Sequence, residues 1–290
     1  MNILPKIVSY SRMIKLSHTI FALPFALSAA ILAHRVTPVT SQKLFWIIIA
    51  MFGARSAAMG FNRLADASVD AENPRTAVRE IPRGVISKAD ASIFVVLSAL
   101  LFMIAAANLS SLCFLLSFPV LAVLCFYSYA KRFTWLTHII LGFSIGLAPL
   151  AVWIAVNGDV SWKIGILSMA LLTYIAGFDI LYACQDVEFD RKESLYSIPA
   201  RFGVVSAMRI SSCLHVLSAV CLASLYWLFS LSPVYLVIVG IIAGLFILEH
   251  TLVDPHDLTR IDIAFFHVNS IISILVLAAV LSGEMLRGMV

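Results

Sequence analysis

Between residues 91 and 130 the chain runs for forty positions without a single Asp, Glu, Lys or Arg. A water-soluble fold has no use for such a run, because so much contiguous apolar surface drives association. A bilayer does: its hydrocarbon core takes about 20 consecutive apolar residues per helix. The run therefore supplies two crossings with a tight turn near Asn108-Leu109-Ser110. Residues 16–34, 133–158, 164–178 and 263–283 each supply one more, and 210–248 supplies two that turn at Leu231-Ser232-Pro233. A further span, 43–65, carries one internal charge, Arg55. In lipid every backbone polar group must be satisfied within the chain, so these segments are helices. The expected fold is an all-α integral membrane protein, a bundle of nine transmembrane helices forming one membrane domain over 1–290.

Composition agrees with this. Hydrophobic residues make up 61% and charged residues 12%, against about 45–50% and about 25% in soluble domains. Disorder, nucleic-acid binding and a secreted disulfide scaffold are disfavoured. Cys113, Cys125, Cys184, Cys213 and Cys221 all lie in apolar stretches without a CxxC pair, which reads as small buried hydrophobes. The first apolar run has a basic flank and no convincing cleavage site, so it reads as a retained first helix rather than a signal peptide.

Charge sets the expected orientation. With the N-terminus cytoplasmic, the tail and the loops after the second, fourth, sixth and eighth spans carry fifteen Lys or Arg: Lys6, Arg12, Lys15, Arg63, Arg75, Arg79, Arg83, Lys88, Lys131, Arg132, Arg191, Lys192, Arg201, Arg209 and Arg260. The opposite side has four, Arg35, Lys43, Lys163 and Arg287. A multi-pass protein of the cell (inner) membrane is expected, with lipid as its surroundings.

The acids gather on the same side, in two clusters. At the end of the second span, Asn62, Asp66 and Asp70 are spaced four apart; on a continuous helix they fall within about 80° of one face. At the end of the sixth, Asp179, Asp186 and Asp190 project within about 40°, with Tyr182 on the flank. Basic and polar loops follow both. Facing carboxylates at a membrane surface suit Mg²⁺, which takes one or two carboxylates, keeps waters and binds substrate phosphates through its other positions. Nearby Arg and Lys suit phosphate oxygens. The cytoplasmic mouth thus reads as a diphosphate–Mg²⁺ active site beneath an apolar bundle able to hold a hydrocarbon tail. Asp179 lies about 10 Å deeper than Asp186, so Asp66, Asp70, Asp186 and Asp190 are the metal-side carboxylates and Asp179 has another task. Arg55 lies about 10 Å deeper than Asn62 on the same face. A buried Arg needs an anion: either a structural partner such as Asp179, or a carboxylate on a bound substrate.

At these residues the sequence resembles the intramembrane aromatic prenyltransferases typified by 4-hydroxybenzoate polyprenyltransferase. Their NxxxDxxxD motif stands as Asn62, Asp66 and Asp70; their DxxYxxxDxxxD motif stands as Asp179, Tyr182, Asp186 and Asp190. The Arg seven residues before the motif Asn is Arg55, and the Lys-Arg pair after the fourth span is Lys131-Arg132. The resemblance implies transfer of a polyprenyl chain from an allylic diphosphate to a ring carbon of a hydroxylated aromatic acid, in respiratory quinone (ubiquinone) biosynthesis. Mg²⁺ is the implied cofactor. Asp66, Asp70, Asp179, Asp186, Asp190 and Tyr182 are the implied catalytic residues. Arg55, Asn62, Arg63, Arg75, Lys131, Arg132 and Arg201 are the implied substrate-binding ones. Gln185 before Asp186 departs from the usual pattern and looks like the branch that occurs with the futalosine route to menaquinone, where the acceptor is a dihydroxynaphthoate.

Two rival classes are weighed beside it. A transporter accounts for intramembrane acids, but transporter sites lie near the midplane and these acids gather at one face. A CDP-alcohol phosphotransferase also uses membrane aspartates, but its DG…AR…G…D…D signature is absent near Asp66 and Asp70. His18, His34, His138, His215, His250 and His267 are scattered without ligand spacing, and His256 sits in the acidic loop Asp254-Pro255-His256-Asp257; none of them marks a site.

Overall fold

The computed structural model describes residues 3–255, 258, 261 and 263–287; His256, Asp257 and Arg260 lie outside them. Among the described residues thirteen α-helices follow in order: α1 (Ile3–Met13), α2 (Leu23–Ala33), α3 (Ser41–Ala65), α4 (Ala67–Glu72), α5 (Lys88–Leu109), α6 (Ser111–Ala130), α7 (Thr137–Asn157), α8 (Trp162–Ala183), α9 (Val187–Lys192), α10 (Ile198–Phe202), α11 (Val204–Leu228), α12 (Pro233–Leu252) and α13 (Asn269–Met285). There is no β-strand among the described residues. Among the described residues nine segments are long and apolar enough to cross a membrane: Leu16–Ala33, Ser41–Ala65, Lys88–Leu109, Ser111–Ala130, Thr137–Asn157, Trp162–Lys192, Val204–Leu228, Pro233–Leu252 and Phe266–Met285. The protein is a multi-pass membrane protein. Its large apolar side chains face outward in numbers no soluble surface carries, among them Leu115, Phe118, Val216, Trp227 and Ile247, which is what a lipid solvent permits.

The expected turns stand where the sequence placed them, at Ser110 and just before Pro233. The spans differ at their ends. The helix of the sixth, α8, runs to Ala183 and takes in Asp179 instead of stopping at 178, and the seventh begins at Val204, taking in Arg209. A charge in a terminal turn does not end a helix, because long side chains reach the interface from there. Counting charge-free residues therefore gives spans that are too short.

The chain divides into two compact units, residues 1–19 with 41–129, and residues 20–40 with 130–290. In the first, α3 packs closely along α5: a Cβ at Gly53 would stand 2.8 Å from the Phe102 backbone nitrogen. The end of α1, the start of α5 and the loop after α4 meet in a core of Met13, Ile14, Ala67, Ile81, Ile86 and Ala91, and Tyr10 stacks on Phe94 with ring centroids 5.0 Å apart.

In the second unit α8 packs extensively against both α7 and α11. The α7–α8 crossing rests on Gly142 and Gly146. A Cβ on Gly142 would lie 2.4 Å from the Leu172 carbonyl oxygen, and one on Gly146 would lie 3.0 Å from the Ser168 carbonyl oxygen. Small residues four apart let two membrane helices bring their backbones together. Elsewhere in this unit a buried polar network joins four helices. Tyr174 donates to the Asn269 carbonyl (2.7 Å), Asn269 Nδ2 to Glu249 (2.7 Å), and His215 Nδ1 lies 3.0 Å from His250 Nε2 and 3.5 Å from Glu249 Oε2. Arg35 pairs with Glu284 and donates to the Phe229 carbonyl, tying three helix ends together.

Candidate active site

The first half-site is built where α3 ends. Asp66 closes that helix with φ −96° and ψ 2°, outside the helical well, and α4 restarts at Ala67. Asn62 Nδ2 donates to Asp66 Oδ2 at 3.2 Å, and both Asp66 and Asp70 are buried. The Arg79 guanidinium donates to the two oxygens of Asp70 at 2.6 and 2.7 Å. The loop that carries Arg79 is itself folded down: Thr76 donates to the Asp70 carbonyl (3.1 Å), and Asn73 Oδ1 accepts from the Arg75 backbone N–H (2.9 Å). Arg63 is buried, with its Nε on the Met13 carbonyl at 3.1 Å. Arg55 Nη2 donates to the Lys15 carbonyl at 3.1 Å, a group turned by a left-handed backbone at Lys15 (φ +47°). Arg55 Nε is buried and has no hydrogen-bond partner among the described residues.

The second half-site repeats this construction at the end of α8. Cys184–Asp186 form one tight 3₁₀ turn, Asp186 stands at φ −103° and ψ 7°, and α9 restarts at Val187. Asp190 Oδ2 accepts from Ser197 Oγ at 2.8 Å, and the Leu195 N–H bonds the Asp190 carbonyl at 2.8 Å. Tyr196 N–H reaches the Lys131 carbonyl at 2.7 Å, so the loop after α9 is fastened beside the Lys131-Arg132 pair. The charges of Asp186 and Lys131 both act on Asp190. Tyr182 packs on the core around Ile180, Leu181 and Ile198. Arg201 lies over the rings of Trp135 and Phe202, 5.9 and 5.5 Å from their centroids. Deeper in the unit, Asp179 Oδ2 stands 2.7 Å from Nδ1 of the buried His138.

These breaks correct the projection made from spacing. Neither motif occupies one continuous helix, so a uniform 100° per residue does not carry from Asn62 to Asp70 or from Asp179 to Asp190. Each motif instead holds its middle Asp in the sparsely populated bridge region, a backbone state common at active sites, between a long helix and a six-residue one.

The donor set is hard oxygen. Among the described residues no group of three or more His, Cys, Asp or Glu side chains is disposed to hold a metal ion; each half-site offers two carboxylates, one at its break and one on the short helix beyond it. That suits Mg²⁺, which needs one or two carboxylates and takes phosphate and water for the rest.

The UbiA prenyltransferase family matches residues 22–271. The chain belongs to this family. Among its relatives, a 4-hydroxybenzoate octaprenyltransferase of Idiomarina loihiensis is 32% identical over 76% of this chain and 77% of that protein. One of Citrobacter koseri is 27% identical over 96% of each. Of solved structures, a UbiA homolog from Aeropyrum pernix superposes with a TM-score of 0.83 at 30% identity, covering 92% of this chain and 98% of that one. A UbiA homolog from Archaeoglobus fulgidus, solved with GPP and Mg²⁺, shares the fold with a TM-score of 0.73 at 20% identity, over 96% and 99% of the two chains.

Against that family background, the residues singled out from sequence are placed as follows. Asn62, Asp66, Asp70, Arg55, Arg63 and Arg75 belong to the first unit, and Asp179, Tyr182, Asp186, Asp190, Lys131, Arg132 and Arg201 to the second. Arg55 reaches the Lys15 carbonyl, and Asp179 stands beside His138. Sequence reasoning passed over three residues. Arg79 was one basic residue among five in its loop, and only folding shows that it takes Asp70. Tyr127 on α6 shares its electrostatic surroundings with Arg55, Arg63 and Asp66. His138 carried no spacing signal at all, because its partner lies 41 residues away.

Proposed function

We propose that this UbiA-family prenyltransferase transfers a polyprenyl chain from an allylic diphosphate to a ring carbon of a hydroxylated aromatic acid of the 4-hydroxybenzoate type, in respiratory quinone biosynthesis. The observation that carries the proposal is the duplicated half-site: Asp66 with Asp70 and Asp186 with Asp190, the first of each pair standing at the break that ends a long helix and the second on the six-residue helix that follows. Relatives named 4-hydroxybenzoate octaprenyltransferase support the acceptor, and the Archaeoglobus homolog that binds GPP and Mg²⁺ supports the donor class and the metal. The family match runs across both units, from 22 to 271, which supports one prenyltransferase domain over 1–290. The surplus of basic residues on the loops that carry the motifs supports a cytoplasmic active site, a cytoplasmic N-terminus and an inner-membrane location.

Asp66, Asp70, Asp186 and Asp190 would hold Mg²⁺, which when bound neutralises the diphosphate and makes it a better leaving group. The chain's own residues do the rest. Asn62 fixes Asp66, and Arg79 and Ser197 fix Asp70 and Asp190, so the carboxylates are oriented before substrate arrives. Arg75, Lys131 and Arg201 present positive charge to the diphosphate oxygens. Arg63, buried behind Asp66 and Asp70, balances their charge from within. Arg55 offers its spare Nε to the acceptor's carboxylate, with Arg132 as a second cation. Tyr182 flanks the reacting end of the prenyl chain, and the apolar helices keep water from the allylic cation.

Membranes containing the protein, incubated with Mg²⁺, one polyprenyl diphosphate and either 4-hydroxybenzoate or a dihydroxynaphthoate, test this directly. A ring-prenylated 4-hydroxybenzoate identified by mass spectrometry is the expected product. Prenylation of the dihydroxynaphthoate alone would give the second reading, which Gln185 beside Asp186 favours. Accumulation of an unaltered substrate in sealed vesicles would reject both.

A further inference from the structure

One close polar contact in the second unit has no part in the metal-side chemistry. His138 Nδ1 lies 2.7 Å from Asp179 Oδ2; the His138 side chain is 4% exposed and that of Asp179 is 27% exposed. His138 Nε2 is buried without a hydrogen-bond partner among the described residues. Nδ1 is the ring nitrogen that faces Asp179, and since a carboxylate oxygen accepts, the Nδ1–H donates to it. One carboxylate oxygen is therefore fixed by a rigid ring, and the carboxylate still has exposed surface. The ring itself is held by the crossing of α7 on α8. His138, Gly142 and Gly146 are spaced four apart on one face of α7, against Asp179, Ala176 and Leu172 on α8. Asp190 lies within electrostatic reach of His138, and its own side-chain hydrogen bond goes to Ser197.

Resting on the prenyl-transfer reading above, we infer that His138 is a positioning residue: it aims Asp179 so that the free side of its carboxylate accepts a hydrogen bond from the acceptor's ring hydroxyl. Such a bond from phenol to carboxylate raises electron density at the ring carbons beside the hydroxyl, where the allylic carbon is to attach. His138 touches neither substrate; it acts through Asp179.

The test is a double-mutant cycle on the full-length protein in membranes, with His138→Ala, His138→Asn, Asp179→Asn and the combination of His138→Ala with Asp179→Asn. Each variant is assayed for prenyl transfer and for thermal stability in detergent. The Ala change is expected to lower kcat about 100-fold, the scale of a 1 Å misplacement of a reacting group, and to raise the acceptor KM. The KM for the prenyl diphosphate should stay within about twofold, since the metal-side carboxylates keep their own partners. The Asn change, whose amide N–H can replace Nδ1–H, should recover most of the loss. In the Asp179→Asn background the Ala change should cost nothing further, because the group it positions is already gone. Additive losses in the double variant, equal shifts in both KM values, or a stably folded His138→Ala protein with wild-type turnover would each overturn the assignment. Wild-type protein that prenylates no hydroxylated aromatic acid would instead refute the proposed function, and this role with it. The two failures are read in different proteins.

Discussion

Replacing Gly142 by Ala places a methyl group in the narrowest part of the α7–α8 crossing. Its carbon would stand 2.4 Å from the Leu172 carbonyl oxygen and 3.1 Å from the Ala176 Cβ. Close C–H···O contacts between helices hold carbon and oxygen about 3.3 Å apart, so the helices must part there by about 0.9 Å. Backbone cannot swing aside as a flexible side chain can. The His138–Asp179 contact, one turn away, starts at 2.7 Å; adding the whole displacement would bring it to about 3.6 Å, beyond hydrogen-bond reach. Overpacking of this kind costs about 1–3 kcal/mol, while Gly-to-Ala in a helix interior returns about 1 kcal/mol of propensity. Gly240→Ala on α12 is the matched control, since a Cβ there meets nothing within 4 Å. Thermal unfolding in detergent should therefore place Gly142→Ala about 1–3 kcal/mol below Gly240→Ala, because both share the propensity gain. Prenyl transfer should fall up to about 100-fold in Gly142→Ala and be unchanged in Gly240→Ala. If both variants match wild type in stability and turnover, the close crossing does not set the geometry of Asp179 and the reasoning is wrong.

Three further outcomes follow from the half-sites. Asp66→Ala and Asp186→Ala should each lower turnover by about 10³-fold or more, beyond the 10²–10³ of a single lost electrostatic donor, while inserting normally; near-normal activity in either, assayed with Mg²⁺, rejects the diphosphate site. Turnover should require Mg²⁺ or Mn²⁺, vanish on chelation and be supported poorly by Ca²⁺, which prefers more ligands at longer distance; full rates in excess chelator reject the metal. Arg55→Ala should raise the acceptor KM far more than the donor KM, with Lys rescuing only in part because it cannot form the paired contact. An unchanged preference for the aromatic acid over the simple phenol in a well-folded Arg55→Ala protein would move the carboxylate to Arg132.

What the sequence determined by itself is what lipid makes local. A crossing helix needs only about 20 apolar residues and its own backbone bonds, so nine spans and both interhelical turns could be read without knowing a single tertiary contact. The motif acids were legible for a similar reason: Asp66, Asp70, Asp179, Asp186 and Asp190 stand at spacings whose chemistry is set by residue type. Only the tertiary structure decided how those acids are held. The break at Asp66 accompanies a loop bonded back onto Asp70 through Thr76 and Arg79, and the break at Asp186 accompanies one bonded onto Asp190 through Ser197. The pairing of His138 with Asp179 spans 41 residues and exists because Gly142 and Gly146 let two helix backbones approach at one register. Helix periodicity says which residues share a face; which face meets which, and how closely, depends on the small residues of both partners at once, and that is decided only when the helices pack.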